Sequence, residues 1–154
     1  MNVLVAGIGN IFLGDDGFGP EVVRQLGASE QPPGVRVADY GIRGMHLAYD
    51  LLDGYDRLVL VDALPGPAHA PGEVVVLSVG PDDLGEGDFD AHGMNPVAVL
   101  ASVTRLGGTL PPTYVVGCGV ASTAQGIGLS PRVSAAVPAA MEAVRSLYAG
   151  AGRP

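Results

Sequence analysis

Four acidic residues and one histidine stand where they could do chemistry together. Asp15 and Asp16 sit side by side in a glycine-rich turn, "GIGNIFLGDDGFGP" (residues 7–20), just after an apolar run. Asp62 closes a second apolar run, "LVLVD", and Asp39 ends a third, "VRVAD". His92 lies in a polar loop, "DFDAHGMNP". Glycine-rich turns after a strand usually cradle phosphate, which carboxylates repel. The dinucleotide fingerprint G-x-G-x-x-G fails at Phe12, and a P-loop needs a lysine, which this chain lacks altogether. Two carboxylates and an imidazole instead make an open ligand set of hard-to-borderline character. It suits a divalent transition metal such as nickel or zinc with positions left for something else.

Each of these residues has a plainer reading. Asp15 or Asp16 alone serves equally as an amino-terminal cap of the helix that follows, which makes Asp15→Asn an expected benign change. Asp62 has no helix after it to cap. His46 and His69 read as surface residues, one on a helix and one in a proline-rich loop. Cys118 ends an apolar strand and reads as core, which weakens a cysteine peptidase built on Cys118 and His92.

The metal reading depends on elements that bring the acids to one rim. Strand-like runs fall at residues 2–7, 34–39, 56–63, 73–79 and 113–119. The unbroken Leu-Val-Leu-Val of the third suggests cover on both faces, as in a parallel sheet. Helical patterns lie at 20–26, at 43–52 with Met45, Ala48 and Leu52 inward, and at 95–106. A last helix opens at Ser130-Pro131, runs to about residue 148, and should bend near Pro138. Strand, helix, strand, helix, strand predicts right-handed parallel crossovers. No helix separates strands three and four, so strand four should run antiparallel at an edge. The expected fold is α/β: one three-layer domain over residues 1–150, a five-stranded, mostly parallel sheet with helices on both faces, and a tail at 151–154. In such a sheet the carboxyl ends of neighbouring strands line the ligand crevice. Asp16 and Asp62 would meet there, and the helix after His92 would bring its loop to the same rim.

Composition narrows the partners. Of 154 residues, 47% are hydrophobic, and the net charge is −8. The eight basic residues are scattered arginines, so no basic stripe exists to hold nucleic acid. Acidic charge also disfavours anionic membrane surfaces. The start lacks the basic, apolar and small-residue pattern of a secretory signal, and a cytoplasmic location is the expectation. A single cysteine excludes an internal disulfide.

The turn "GIGNIFLGDDGFG", the strand end "LVLVDA", the loop histidine and a late "GIGLSP" together resemble the hydrogenase maturation proteases, over nearly the whole chain. These endopeptidases trim the carboxyl terminus of the nickel–iron hydrogenase large subunit. The resemblance implies that Asp16, Asp62 and His92 are the catalytic and metal-contacting set, that nickel arrives inside the precursor, and that zinc or another divalent ion can substitute in the isolated protein. It also implies a weaker substrate-contacting role for Asp39 and Gly41. Two departures stand out: Asp39-Tyr40-Gly41-Ile42 replaces a common Asp-Gly-Gly-Thr, and Gly119-Val120 replaces a common Glu-Pro. A non-catalytic nickel-binding docking module and a generic small-ligand binder are the remaining alternatives.

Overall fold

A computed structural model describes residues 1–80 and 96–151. The strands are β1 (Val3–Ile8), β2 (Val35–Gly41), β3 (Arg57–Leu64), β4 (Val74–Val79) and β5 (Thr113–Gly119); the helices are α1 (Phe18–Leu26), α2 (Gly44–Leu51), α3 (Pro96–Arg105) and α4 (Pro131–Ala151). The sheet order is β2-β1-β3-β5-β4. The β1–β2, β1–β3 and β3–β5 pairs are parallel and β4–β5 is antiparallel, which gives the expected reversed edge strand. β4 reverses because the short link after β3 holds no crossover helix.

Residue parity along the strands sorts the core into two layers. Val3, Val5, Val59, Val61 and Val116 face α1 and α4. Leu4, Ala6, Ile8, Leu58 and Leu60 face α2 and α3. Both faces of β1 and β3 are therefore buried, which is why these strands read as unbroken apolar runs. α1 buries Phe18, Val22 and Leu26 completely, one helical turn apart, and each such side chain stabilises the fold by about 1.5–3 kcal/mol. α4 runs through Pro138 as one helix. α2 departs from its expected face. Leu47, Ala48 and Leu51 are its buried residues, whereas Met45 and Leu52 are 50% and 39% exposed. Both lie on the flank of the helix, where apolar spacing alone does not distinguish the sheet-facing side.

The order of connections decides where a site can form. The chain leaves β1 by α1 to reach β2 on one side, then passes over β1 by α2 to reach β3 on the other. Neighbouring connections thus diverge between β1 and β3, and a crevice opens at their carboxyl ends. Among the described residues no helix is long and apolar enough to cross a membrane.

Candidate functional site

The turn after β1 is folded back over the end of the sheet by two glycines. Gly9 has φ of 141°, and a side-chain carbon there would collide with the Asp16 carbonyl oxygen. Gly19 presses the start of α1 against the carbonyl oxygens of Ile8 and Val61, a space that no Cβ could share. Asn10 braces the interior of the turn: its backbone N–H donates to Asp16 Oδ2 at 2.7 Å, and its Oδ1 accepts from Phe12 N–H at 2.9 Å. A 3-10 turn over Gly14–Gly17 then carries both acids into α1.

Asp62 comes up from β3 beneath this turn. It lies between buried Val61 and Ala63, one residue beyond the Gly7–Val61 register pair and opposite Gly117 of β5. Burial pushes its carboxyl well above the ordinary value, the nearby Asp16 charge adds to the rise, and a hydrogen bond from the Ala63 backbone works against it. Asp16 and Asp62, expected at one rim, therefore act on one another across the β1–β3 crevice. Two acids held this way disfavour joint ionisation and can share a proton or a cation.

Asp15 does something other than cap the helix that follows it. No side chain caps the 3-10 turn or α1. The Asp15 side chain turns away from α1 and is 1% exposed. Its Oδ2 accepts from Ala121 N–H (2.8 Å), Ser122 N–H (3.1 Å) and Ser130 Oγ–H (2.8 Å), and its Oδ1 accepts from Ser130 N–H at 2.7 Å. Ser130 immediately precedes α4, so this acid sits at the amino end of a different helix, with favourable dipole alignment. Burial alone would raise its pKa, but the donors outweigh that and hold it below the ordinary carboxylate value. The expectation that Asp15 caps the following helix, on which a benign Asp15→Asn rested, is thereby corrected: its donors are 106 to 115 positions away.

Asp39 is exposed, and its Oδ1 accepts from Gly41 N–H at 2.8 Å. Gly41, with φ of 54°, passes its carbonyl to Gly9 N–H at 3.0 Å, so the end of β2 adjoins the acidic turn. A groove of about 480 Å³ runs beside that turn, with Ile11, Pro20, Asp39, Ile127 and Leu129 among the residues that line it. His92 lies outside the described residues. Among the described residues no group of three or more His, Cys, Asp or Glu side chains is placed to hold a metal. Cys118 is fully buried, and burial pushes its thiol up, so it has the character of a core residue. The supporting residues that sequence reading missed are Asn10 and Ser130. Asn10 carried a usable signal, since an Asn two residues before an exposed turn residue favours an Asx turn.

The model of the HycI hydrogenase maturation proteases matches residues 20–147. The chain belongs to the hydrogenase maturation protease family. It is 32% identical over 152 residues to the hydrogenase 2 maturation protease of Escherichia coli K12, covering 94% of this chain and 88% of that protein. The hydrogenase maturating endopeptidase HybD from E. coli superposes with a TM-score of 0.86 at 30% identity, covering 99% of this chain and 94% of that one. The nickel–iron hydrogenase maturation protease HybD from Thermococcus kodakarensis superposes with a TM-score of 0.72 at 29% identity, over 96% and 99% of the two chains. The family is one of proteases, hence of hydrolases. The α/β sheet with its single reversed edge strand is the fold of these relatives.

Proposed function

We propose that this protein is the endopeptidase that removes the carboxyl-terminal extension from the nickel-loaded precursor of a nickel–iron hydrogenase large subunit, with Asp16, Asp62 and His92 reading the nickel. The observation that carries the reading is the pairing of Asp16 with Asp62 at the β1–β3 crevice, where burial and the Asp16 charge raise the Asp62 pKa. A structural ion-pair network would place a cation beside such a carboxylate; here a second acid stands there instead. Perturbed acids in a crevice are the expected mark of a chemical site.

The chemistry follows from that environment. Burial and the Asp16 charge favour the protonated form of Asp62, and Asp16 accepts a hydrogen bond from the Asn10 N–H. A divalent ion carried in by the precursor would be held by these carboxylates as anions, so its binding would favour the ionised form of Asp62. The ion supplies Lewis-acid polarisation of a nearby carbonyl. A carboxylate oxygen of the pair not engaged by the ion would be placed to take a proton from the attacking water. His92 supports the same reading by its place in sequence, four residues before Pro96. α3 runs beside α2, with Gly108 beyond its end packed on Leu52, so Pro96 opens α3 at the carboxyl-end rim. Four extended residues reach at most about 14 Å. Zinc or another divalent ion can occupy the same donors in the isolated protein.

The test is processing of matched nickel-loaded and nickel-free precursors, followed by intact mass. Wild type should shorten only the loaded precursor, and Asp16→Asn, Asp62→Asn and His92→Ala should leave it uncut while remaining folded. Cleavage of nickel-free precursor at the same rate, or full cleavage by Asp16→Asn, would overturn the nickel-reading assignment. Nickel-dependent binding without any cleavage by wild type would instead mark a docking module.

A further inference from the structure

Asp15 and Asp16 are consecutive, yet they serve opposite sides of the turn. Asp16 faces Asn10 and the Asp62 crevice. Asp15 reaches out to the 121–130 segment, which has no helix or strand of its own and whose residues 121–128 are all exposed. Such a segment has no buried side chains to fix its position. Its attachment is polar instead. Besides the four bonds to the Asp15 carboxylate, Asp15 N–H donates to the Ser122 carbonyl at 3.0 Å and Gly14 N–H to the Gly126 carbonyl at 2.9 Å. Gly126 N–H in turn donates to the Phe12 carbonyl at 2.8 Å. The segment carries Ile127, 77% exposed, and Leu129, which form one wall of the groove. Ile11, Pro20 and Asp39 also line it.

We propose that Asp15 is a positioning residue for cleavage: it locks the 121–130 wall of the groove at a fixed offset from Asp16, so that an apolar stretch of the precursor lying against Ile127 and Leu129 presents its scissile bond to the acidic pair. This rests on the cleavage reading above. A cap of α4 would need only the contacts to Ser130. The additional carboxylate contacts to Ala121 and Ser122 tie down a wall that α4 does not require. Positional errors of an ångström at a reacting group cost rate, whereas a groove wall that only binds contributes to KM.

The experiment measures kcat and KM for nickel-loaded precursor, at a temperature where circular dichroism shows every variant folded. Ser130→Ala removes one donor to Asp15, and kcat should fall roughly tenfold; Asp15→Asn should lose roughly a hundredfold, with KM within about twofold in both. Ser130→Thr keeps the hydroxyl and should restore the wild-type kcat. Ile127→Ser should raise KM and leave kcat in place. Wild-type kcat in folded Asp15→Asn and Ser130→Ala, or a rise in KM alone, would overturn the positioning role and leave Asp15 as a fastening of α4. A wild type that fails to cut the loaded precursor would sink the cleavage reading and this proposal together.

Discussion

Replacing Asp15 by Asn removes a charge and turns one acceptor into a donor inside a site that is 1% exposed. Two orientations of the new amide are available. With its oxygen in the Oδ2 position it keeps Ala121, Ser122 and the Ser130 hydroxyl, but its NH2 then faces the Ser130 N–H at 2.7 Å. With the oxygen in the Oδ1 position, the Ala121 and Ser122 amides lose their acceptor. The first orientation costs less: one charge-assisted bond, about 1.5–3 kcal/mol, and one buried donor left unpaired, about 1–3 kcal/mol. A total of about 2.5–6 kcal/mol corresponds to a fall of roughly 5–24 °C in Tm for a domain of this size. The pH dependence has a definite sign. The folded Asp15 pKa is lowered, so its stabilisation is present above the ordinary value of 3.8 and is lost as pH falls through the folded value. The gap between wild type and Asn variant should therefore be widest near neutral pH and close in acid. Thermal unfolding followed by circular dichroism at a series of pH values measures it. A neutral-pH Tm within about 1 °C of wild type would refute the four-donor assignment.

The Asp62→Asn substitution should act in the opposite direction. Because the folded Asp62 pKa is raised, wild type loses relative stability as pH rises from 3.8 toward that raised value. The Asn variant should gain on wild type over that window, by about 1.4 kcal/mol for each unit of the rise, and a pH-independent difference in denaturation midpoint would contradict this. Gly19→Ala should destabilise by about 1–3 kcal/mol, since its methyl meets the Ile8 and Val61 carbonyls, and should depress cleavage by lifting the turn that holds Asp16. An unchanged midpoint and rate would show that the close approach is not needed. Cys118 should resist iodoacetamide in the native protein and react only on unfolding, given its complete burial; rapid native labelling with loss of cleavage would revive a thiol mechanism.

Local sequence determined the elements and their order. The Leu-Val-Leu-Val run of β3 could only be satisfied by cover on both faces, Pro96 and Pro131 marked helix starts, and the helix-free link after β3 implied a reversed edge strand. Those features depend on side-chain period and backbone stereochemistry, which act within a few residues. The shared rim at the ends of β1 and β3 was also legible, because parallel crossovers oblige those ends to lie side by side. The partners of each acid were not. "Asp-Asp" before a helix looks the same whether it caps that helix or reaches another one, and only the packing of α4 against α1 brought Ser130 to Asp15. The same limit explains Met45, whose apolar character suits a core face but whose angle on α2 leaves it half exposed. A residue type states which bonds a side chain is able to make. Which donor arrives from a hundred residues away is a property of the folded chain, because the free energy of that contact exists only after the sheet and its helices have closed around it.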